Sequence, residues 1–590
     1  MICIKKEYDF VVVGGGMSGI CTAMAAARHG MHTALVQDRT VLGGNASSEM
    51  RVHVNGAGRD GGYKNAIESG IILELLMANK KVNPQHSYHV FDQVLWEKAN
   101  DEPNLDLYLN TSMREVEMDD KKIKQIKAYQ MNTEIEFTFQ AKYFSDNTGD
   151  ATLSYLAGAD YTIGHESRST YGESLAPEEA NEYVMGSTVL FSMKDRGVPT
   201  PFKRPNFAYP YTKEMRGKRA FPELTHGYWW IELDGEIKES QNIREELLRY
   251  MYGVFDYIKN SGDFPESENL AIDWISTIAG KRESRRVYGD YMLNQNDIDE
   301  NKRFPDAIAY GGWTMDDHSI GGIKCINPHD EGTIWHEVKD IYTIPYGCIY
   351  SRNIDNLFIG GRCFSASHMA LSSARVMGTG SVLGQAAGTA AAIAFREGIT
   401  PREVHKHIEE LQQTLIKDDC YIPGIPVVDK EDLVTTLKPI ITASSWVAGG
   451  EPTKINGAYA RRIDDEQYAW ISDTLSEQGE SITIDFGKEI TTSHMILRFD
   501  PNFSKTMIIT QSTRKMKAQD PDMPYELVKD YSISFQKKGE VVKVIDVEDN
   551  FQRVNQLYFE EAISCDAIKV LVKRTYGDSH ARVFNIRVYQ

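Results

Sequence analysis

The stretch Tyr8-Asp-Phe-Val-Val-Val-Gly-Gly-Gly-Met-Ser-Gly19 carries the strongest local signal in this chain. Phe10 to Val13 is a short β-branched and aromatic run, which is typical of a buried strand. Gly14, Gly16 and Gly19 then fill the pattern G-x-G-x-x-G, and the small residues that follow predict a helix. A strand, a glycine turn and a helix in this order predict a site for the phosphates of a dinucleotide at the helix N-terminus.

Each glycine of the turn has its own predicted role. Gly14 permits the tight turn, Gly16 lets a phosphate approach the backbone, and Gly19 lets the helix pack closely on the strand. The alternative is a glycine-rich turn without a ligand. A second strand, His32 to Val36, follows at the expected distance and favours the binding site. We also expect Ser18, at the start of the helix, to contact the bound nucleotide.

The end of the second strand departs from the usual pattern. An acidic residue commonly stands there and binds the ribose hydroxyls. This chain has Gln37 at that place and Asp38 directly after it. Either side chain has an oxygen that accepts a hydrogen bond, so the sequence leaves open which of the two binds the ribose.

The bulk composition excludes several classes of protein. Among 590 residues, Asp and Glu outnumber Lys and Arg by 84 to 65, which argues against a nucleic-acid-binding protein. No membrane span is expected, and no apolar segment precedes the first strand. The seven cysteines are scattered and form no metal-binding pattern, so we expect reduced thiols, no metal and a cytoplasmic protein.

A second glycine motif makes the interpretation more specific. Val41-Leu-Gly-Gly-Asn-Ala-Ser47 places Gly43 and Gly44 after the second strand, with Asn45, Ser47 and, further on, Arg51 as polar neighbours. Together with the first motif, this stretch resembles the FAD-binding half of the flavoprotein oxidoreductases of the glutathione reductase and fumarate reductase type. The resemblance implies FAD as the cofactor, held along its whole length.

Three later stretches agree with this resemblance. Strand patterns from Leu105 to Phe139 resemble the β-meander of the FAD domain, which implies that the backbone near Val116 meets the adenine. Lys142-Tyr-Phe-Ser-Asp-Asn-Thr-Gly-Asp-Ala151 resembles the Ala-Thr-Gly-Asp element of the family. Far downstream, a strand ending in Gly-Gly precedes a helix of small residues, whose N-terminus would face the flavin. The FAD contacts implied by these stretches are Thr148, Gly149, Asp150, Gly361, Arg362, Gly380, Ser381 and Val382.

The motif Leu-Gly-Gly-Asn-Ala-Ser, with Arg282-Glu-Ser-Arg-Arg286 and Ser367-His368, resembles one subfamily of FAD-dependent oxidoreductases. The resemblance covers about residues 5 to 435. The fold class expected is α/β, with a Rossmann-like FAD-binding domain at 1–155 and 340–400. An α+β substrate domain is expected as an insertion at 156–339, followed by a helical linker at 401–440.

From residue 441 onward the pattern changes to short alternating strands, which predicts an all-β sandwich or jelly roll. Ser481-Ile-Thr-Ile-Asp-Phe-Gly-Lys488 resembles the discoidin or galactose-binding-like domains. Such domains bind sugars or serve as packing modules, and the sequence leaves this open. The predicted strands are Ser481 to Phe486, His494 to Arg498, Tyr531 to Phe535, Val541 to Val547, Gln556 to Phe559, Ala567 to Val572 and Val583 to Tyr589.

Candidates for the chemistry are side chains expected beside the FAD elements. His368 follows the Gly361-Arg362 turn, His53 follows the second glycine motif, and His318 lies in a polar Asp-Asp-His stretch. Each could act as a general base or be an ordinary surface or supporting histidine. Arg285, in the basic cluster that begins at Lys281, could hold an anion or form internal ion pairs. We expect the three histidines and Arg285 to include the catalytic groups.

Three functions remain open at this stage. The first is a dehydrogenase that oxidises a secondary alcohol of a sugar, polyol or glycoside by hydride transfer to flavin N5, which the aromatic middle region favours. The second is reduction of an activated C=C, as in fumarate reductase, and the third is a glycan-binding protein with structural FAD. No redox-spaced cysteine pair is present, so disulfide exchange is disfavoured. No second G-x-G-x-x-G stands between a predicted strand and a predicted helix, so a separate NAD(P)H domain is disfavoured too. The partners expected are a small-molecule substrate and an electron acceptor whose identity stays open.

Overall fold

A computed structural model describes residues 2–58, 65–327, 329 and 331–590. The strands are β1 Ile2–Val13, β2 Thr33–Val36, β3 Leu105–Tyr108, β4 Thr111–Asp119, β5 Lys122–Gln130, β6 Ile135–Asp146, β7 Tyr161–Thr162, β8 Ser187–Thr188, β9 Phe191–Asp195, β10 Glu232–Leu233, β11 Leu270–Ile275, β12 Arg286–Val287, β13 Ala307–Gly311, β14 Met315–His318, β15 Thr333–His336, β16 Tyr342–Pro345, β17 Leu357–Ile359, β18 Ile440–Ala443, β19 Trp470–Thr474, β20 Glu480–Phe499, β21 Val528–Lys537, β22 Glu540–Val547, β23 Val554–Thr575 and β24 His580–Tyr589.

The α-helices range from single turns to two helices of 21 residues each. They are α1 Met17–Arg28, α2 Ile71–Val82, α3 Tyr88–Asn100, α4 Thr152–Leu156, α5 Arg168–Tyr171, α6 Lys213–Arg216, α7 Ser240–Asn260, α8 Gln295–Asp299, α9 His368–Ala374, α10 Met377–Glu397, α11 Ile408–Lys417, α12 Leu433–Leu437 and α13 Thr513–Lys517. In the part of the chain that the structure describes, no helix has both the length and the apolar character needed to cross a membrane.

The chain folds into two compact units. The first comprises Met1–Ala57, His86–Gln412 and Ile508–Met516, and the second comprises Gly58–Gln85, Gln413–Met507 and Lys517–Gln590. The domain boundaries expected from the sequence stay a prediction.

The first unit is built on a mixed sheet with the strand order β3-β2-β1-β6-β5-β4, and β17 also pairs with β6. The pairs β1–β2, β2–β3, β1–β6 and β6–β17 are parallel, whereas β4, β5 and β6 form an antiparallel meander. Because the parallel strands run the same way, the carboxyl ends of β1, β2, β6 and β17 meet at one edge of the sheet. A mixed α/β fold is therefore confirmed.

Helices α1 and α10 pack closely against each other beside this sheet because glycines remove side chains from the contact. A Cβ at Gly384 would lie 2.3 Å from the carbonyl oxygen of Ser18, and one at Gly388 would lie 2.2 Å from that of Thr22. No heavy atoms approach that closely without a clash, so these positions of α10 require glycine. The close packing brings the N-terminal end of α10 near the turn that follows β1.

The rest of the first unit includes two-stranded antiparallel ribbons and the long helix α7. Leu247, Met251, Val254 and Ile258 recur at helical spacing on one side of α7, and all four are buried. They belong to a hydrophobic cluster that includes Trp230. This core also includes Leu233, so it supports the ribbon β8–β10, which carries residues of the candidate site.

The second unit is largely β, with an antiparallel sheet in the order β19-β24-β20-β23-β21-β22 and with β18 paired to β20. An all-β C-terminal region is therefore confirmed, and the finer jelly-roll arrangement stays a prediction. The seven short strands expected from the sequence fall within five strands, because β20 and β23 each continue through bulges. One of these irregularities lies between Asp485 and Ile490, where the alternating pattern is lost although pairing resumes.

Candidate functional site

The turn after β1 begins at the sheet edge described above. Gly14 donates its N–H to the carbonyl of Val36 at 2.8 Å, and Asn147 donates its N–H to that of Val13 at 2.8 Å. The φ of Gly14 is +102°, and a Cβ there would lie 2.3 Å from the carbonyl oxygen of Asn147. Only glycine fits both the backbone conformation and the space, as its predicted role in the tight turn requires.

The other two glycines of the motif differ in what surrounds them. A Cβ at Gly19 would lie 1.8 Å from the carbonyl oxygen of Gly14, so α1 packs directly on the turn. Gly16 has an ordinary φ of −68°, and a Cβ there would meet nothing within 4 Å. The space beside Gly16 opens into a cavity of about 1070 Å³. The open space at the N-terminus of α1 fits the pyrophosphate of a dinucleotide.

Gln37 is occupied within the protein. Its Oε1 accepts a hydrogen bond from the N–H of Gly15 at 2.7 Å, and its Nε2 donates to the carbonyl of Val41 at 3.3 Å. The side chain thereby ties the first glycine turn to the chain that leads to the second. Asp38 also lines the cavity, and 59% of its side chain is exposed. Of the two candidates for the ribose hydroxyls, Asp38 has the freer side-chain oxygens.

The second glycine motif lies directly against the first. Gly43 donates its N–H to the carbonyl of Gly15 at 2.8 Å, and a Cβ on Gly44 would stand 3.2 Å from the Cα of Gly16. Both residues have positive φ values, +100° and +58°. Asn45, also in the cavity wall, donates its Nδ2 to the carbonyl of Lys281 at 3.0 Å. This close approach of two backbone segments explains the Gly-Gly pair.

An ion cluster stands at the end of β6. The Asp150 carboxylate lies 2.5 Å from Nζ of Lys281 and 3.3 Å from Nη2 of Arg362, and all three residues line the cavity. Burial by itself would raise the pKa of Asp150, but Arg362 and Lys281 hold it below the usual value. The cluster therefore presents charged hydrogen-bond donors to the cavity, at the sheet edge that carries the glycine turns. Lys281 was not among the predicted site residues, although it begins the basic cluster that contains Arg285.

Most of the predicted FAD contacts line this one cavity, and some do not. The predicted residues in its wall are Gly14, Gly16, Ser18, Gln37, Asp38, Gly43, Gly44, Asn45, Thr148, Gly149, Asp150, Gly361, Arg362 and Gly380. Those that the structure places outside the wall are Gly19, Ser47, Arg51, Val116, Ser381 and Val382. The start of β4, at Thr111 to Met113, reaches the wall instead of the backbone near Val116.

The residues outside the wall have other contacts. Ser47 donates its Oγ to the carbonyl of Gly44 at 2.7 Å, and Ser381 donates its Oγ to that of Met377 at 2.6 Å. The guanidinium of Arg51 stacks on the ring of Trp274, 4.3 Å from its centroid. These contacts hold the glycine motif and the start of α10 in shape.

His318 lies in the cavity wall on β14, within a buried charge network. Its Nδ1 is 2.9 Å from Oε1 of Glu232, whose Oε2 is 2.7 Å from Nη1 of Arg282. Its Nε2 is 3.4 Å from Oδ1 of Asp316 and 3.4 Å from Nη2 of Arg375. Burial by itself would raise the pKa of Asp316, but His318 and Arg375 hold it below the usual value.

His53 is the second histidine in the cavity wall. Its Nε2 lies 3.4 Å from Nε2 of His226, and Trp229 packs edge-on against both rings. Burial, then His226 and Lys515, lowers the pKa of His53 well below its usual value. Burial is also the main reason that the pKa of His226 is lowered to about 4. Both imidazoles are therefore neutral at pH 7.

His368 is buried and does not line the cavity. Its Nδ1 lies 2.8 Å from Glu283 and its Nε2 lies 3.1 Å from Asp317, while its ring stacks on that of His165. Burial disfavours the charged form, yet the two carboxylates raise the pKa of His368 to about 10. A histidine held as a cation between two carboxylates is poorly suited to accept a proton at pH 7.

The cluster of His165, Asp317 and His368 has the residue types of a metal site. The two ring centroids are 3.5 Å apart, with the planes inclined by 29°. Two imidazoles that bind one ion through nitrogens at about 2.0–2.1 Å have their centroids roughly 4.5 Å or more apart. The stacked arrangement therefore does not fit a shared ion, and it is an ionic link between α9 and β14.

Arg285 also stands outside the cavity wall. Its guanidinium stacks on Tyr155, 4.0 Å from the ring centroid, and donates to the carbonyl of Asp150 at 3.1 Å. The neighbouring Arg286 is fully buried between Glu166 and Glu283. Of the four predicted catalytic residues, the structure brings His318 and His53 to the cavity. Glu232 was not predicted, since its partner His318 is 86 positions away and no local pattern links them.

The fold and the site together define an enzyme class: a nucleotide-cofactor protein with a phosphate cradle at the end of a parallel sheet and ionisable groups facing the same cavity. The model of the family described as FAD dependent oxidoreductase matches residues 9–415. The chain belongs to this family and is an FAD-dependent oxidoreductase. The open space beside Gly16 fits that cofactor. FAD as the cofactor and an oxidoreductase as the enzyme class are thereby confirmed.

The other comparisons add less. None of the curated proteins compared matches this chain. Solved structures similar to part of it include a family 32 carbohydrate-binding module from C. perfringens in complex with galactose, 16% identical, which covers 27% of this chain and 97% of that one with a TM-score of 0.20. A fucose binding module from Streptococcus pneumoniae is 11% identical, covers 28% and 98%, and has a TM-score of 0.20. TM-scores this low support no conclusion about this chain.

Proposed function

We propose that this enzyme oxidises a secondary alcohol of a sugar, polyol or glycoside, with His318 as the base that takes the hydroxyl proton. The observation that carries the proposal is the position of His318, in the cavity wall between Glu232 and Asp316. FAD supplies the hydride acceptor for such a reaction when bound. Its phosphates would lie against Gly16 and the N-terminus of α1, with Asp38 for the ribose.

The contacts of His318 determine which ring nitrogen can take a proton. Arg375 carries only N–H donors, so its Nη2 donates to Nε2 of His318, and the ring hydrogen of the neutral form is on Nδ1. That hydrogen is directed to Glu232 at 2.9 Å, which fixes the orientation of the ring. Nε2 is therefore the proton acceptor, as it is in other histidines oriented by a carboxylate.

The same surroundings stabilise the charge that His318 gains. Oδ1 of Asp316 lies 3.4 Å from Nε2, is buried, and has no hydrogen-bond partner among the described residues. A proton on Nε2 would supply the missing donor, while Glu232 stabilises the imidazolium from the other side. His53 has no such carboxylate pair, because its near neighbours are His226 and Lys515. We therefore assign the base to His318 and a supporting role to His53.

The sugar as substrate class rests on the aromatic content of the cavity. Trp229, Trp230, Trp313 and Trp335 all contribute to its wall. Flat apolar rings beside a few convergent polar groups suit a ligand with both an apolar face and several hydroxyls, which describes a pyranose. Trp335 has 54% of its surface exposed, so a ring is available at the opening of the cavity.

Reduction of an activated C=C is the second candidate. It is favoured by Arg375, which lines the cavity 3.4 Å from His318, because an arginine can hold a carboxylate or donate a proton. Arg285, which the sequence suggested for holding an anion, does not line the cavity, and neither does Arg286. Arg362 does line it, but pairs with Asp150.

The test is an anaerobic absorbance titration of the purified flavoprotein with a panel of sugars, polyols and glycosides. Bleaching of the flavin band supports the dehydrogenase. Under the same conditions His318→Asn should bleach slower by about 10²–10⁴-fold. His336→Gln, on the neighbouring strand β15 and outside the cavity wall, is the matched control. A flavin that none of these compounds reduces, but that fumarate-like acceptors reoxidise after dithionite, would favour the reductase and overturn the proposal.

A further inference from the structure

We propose that Lys515 binds a negatively charged group of the substrate, so that the preferred substrate is a sugar carrying a carboxylate. This inference rests on the proposed function. Lys515 belongs to the segment Ile508–Met516, which is part of the first unit although the flanking residues on both sides belong to the second. The segment thus brings a basic side chain into a cavity whose other wall residues come from much earlier in the chain.

The 508–516 segment is fixed to the first unit by its own hydrogen bonds. Glu223 accepts from the Oγ of Ser512 and from the N–H of Thr513 at 2.9 Å and of Arg514 at 3.4 Å. The phenol of Tyr88 donates to the carbonyl of Ile509 at 3.3 Å. A carboxylate that satisfies three donors at the start of a helical turn holds that turn in one orientation. Lys515, the next residue, is therefore presented from a fixed backbone.

Lys515 acts on the two neutral histidines. Its positive charge is among the causes that lower the pKa values of His53 and His226, so the ammonium lies within electrostatic range of both rings. His226 is also held by Glu223, because the backbone N–H of His226 donates to the carbonyl of Glu223 at 3.3 Å. Lys515 itself is half-buried and lines the cavity next to these groups. An anion that enters there would meet a lysine and the uncharged imidazole of His53, with His226 directly behind it.

The charges of the whole cavity point the same way. Its described wall residues include eight Arg or Lys and five Asp or Glu, although the chain as a whole has a net charge of −19. At the sheet edge that carries the glycine turns, acidic residues balance the basic ones. Lys281 and Arg362 pair with Asp150. Arg39 lies near Asp38 and Glu49.

Away from that edge, the excess is positive. Arg282 and Arg375 pair with Glu232 and Asp316, and Glu331 adds one more carboxylate to the wall. Lys218 and Arg244 make no ion pair with any residue that the structure describes. A cavity with an excess of basic groups in an acidic protein attracts anions and favours an anionic ligand over its neutral analogue.

The test compares D-glucuronate and D-galacturonate with their methyl esters, which have nearly the same shape and no charge. We measure the second-order rate constant of anaerobic flavin bleaching by each substrate, for the native enzyme and for Lys515→Met, Lys515→Arg and the control Lys517→Met. Lys517 is exposed and lies outside the cavity wall. The acid should be preferred to its ester by about tenfold in the native enzyme. Lys515→Met should lose that preference, whereas Lys515→Arg and Lys517→Met should keep it.

Each other outcome has a defined meaning. An acid-to-ester ratio that is the same in the native enzyme and Lys515→Met overturns the inference and leaves the proposed function in place. If no sugar bleaches the flavin, the proposed function fails, and the inference is then tested by equilibrium dialysis with the same acids. Weaker binding of the acids by Lys515→Met supports the inference. Binding that does not distinguish the acids from their esters overturns it. If Lys515→Met does not fold, Lys515→Gln replaces it. The acid-to-ester ratio of the native enzyme is then also measured at rising salt concentration, where it should fall.

Discussion

Nδ1 of His318 lies 2.9 Å from Oε1 of Glu232, and both side chains are almost completely buried. Glu232 also contacts Arg282, so one carboxylate links the candidate base to a fixed cation. The arrangement explains how a histidine on a short ribbon keeps one ring orientation. It makes Glu232 a positioning residue for the proposed reaction, because its effect on the substrate passes through His318.

Glu232→Gln should lower the limiting rate of flavin bleaching, with little change in the substrate concentration that gives half of that rate. The amide keeps the shape of the side chain but stabilises the imidazolium less than a carboxylate does. The loss should be smaller than the roughly 10²–10⁴-fold expected for removing the base itself. The measurement is stopped-flow bleaching at equal flavin content, with the exposed Glu266→Gln as control. A variant in which the half-saturating substrate concentration rises and the limiting bleaching rate is unchanged would assign Glu232 to substrate binding instead.

Gly16→Val should fold and purify colourless. A Cβ at Gly16 meets no protein atom within 4 Å and the backbone conformation there is ordinary, so the free protein accommodates the side chain. The valine would, however, fill the space beside the N-terminus of α1 that fits the pyrophosphate. The measurement is the ratio of flavin absorbance to protein absorbance, together with a thermal unfolding curve.

Gly14→Ala is the matched comparison for that experiment. Its Cβ would lie 2.3 Å from the carbonyl oxygen of Asn147 at a φ of +102°, so we expect a loss of stability of about 1–3 kcal/mol. Gly14→Ala should therefore lower the unfolding midpoint, whereas Gly16→Val should mainly lower the flavin content. A yellow Gly16→Val protein with full flavin content would show that the phosphates bind elsewhere.

The N-terminal glycine turn could be predicted from the sequence because its constraints are local. Strand, turn and helix are adjacent in the chain, and the structure shows Gly14 and Gly19 in backbone contacts that exclude a Cβ. Gln37 shows the limit of this reasoning. Its position at the end of β2 predicts a nucleotide contact, but its amide is engaged by Gly15 and Val41. Sequence position gives the place of a side chain and does not give its hydrogen-bond partners.

For the catalytic candidates, sequence position was an even poorer guide to the partners of each side chain. His368 was expected beside the flavin because it follows the Gly361-Arg362 turn, yet its ring is held by Glu283 and Asp317 outside the cavity wall. Glu232 had no motif of its own, because its role depends on a partner brought close by folding. Pairs of buried charges between distant segments leave no periodic pattern in the sequence, so only the structure identifies them.

His368 should make stability depend on pH. Although burial opposes it, Glu283 and Asp317 raise the pKa of His368 to about 10, above the ~6.5 of an unfolded histidine. The folded state thus holds the proton more tightly, so the stabilisation is complete below about pH 6.5 and is lost as the pH rises towards 10. The difference in unfolding midpoint between the native protein and His368→Gln should be larger at pH 6 than at pH 9.5. An equal difference at both values would contradict a charged His368.

Asp419 should be essential for the stability of the second unit. Its carboxylate lies 3.0 Å from Nε of Arg498 and 2.9 Å from Nε of Arg553, and all three side chains are at least 93% buried. Asp419→Asn leaves two buried guanidinium groups without their anion, and breaking a buried ion pair in this way costs about 3–5 kcal/mol. Asp546→Asn is the matched control, since Asp546 pairs with Lys573 at the surface and such pairs contribute about 0–1 kcal/mol. Urea unfolding followed by tryptophan fluorescence measures both variants. Equal destabilisation by the two substitutions would show that the buried network is not what stabilises this unit.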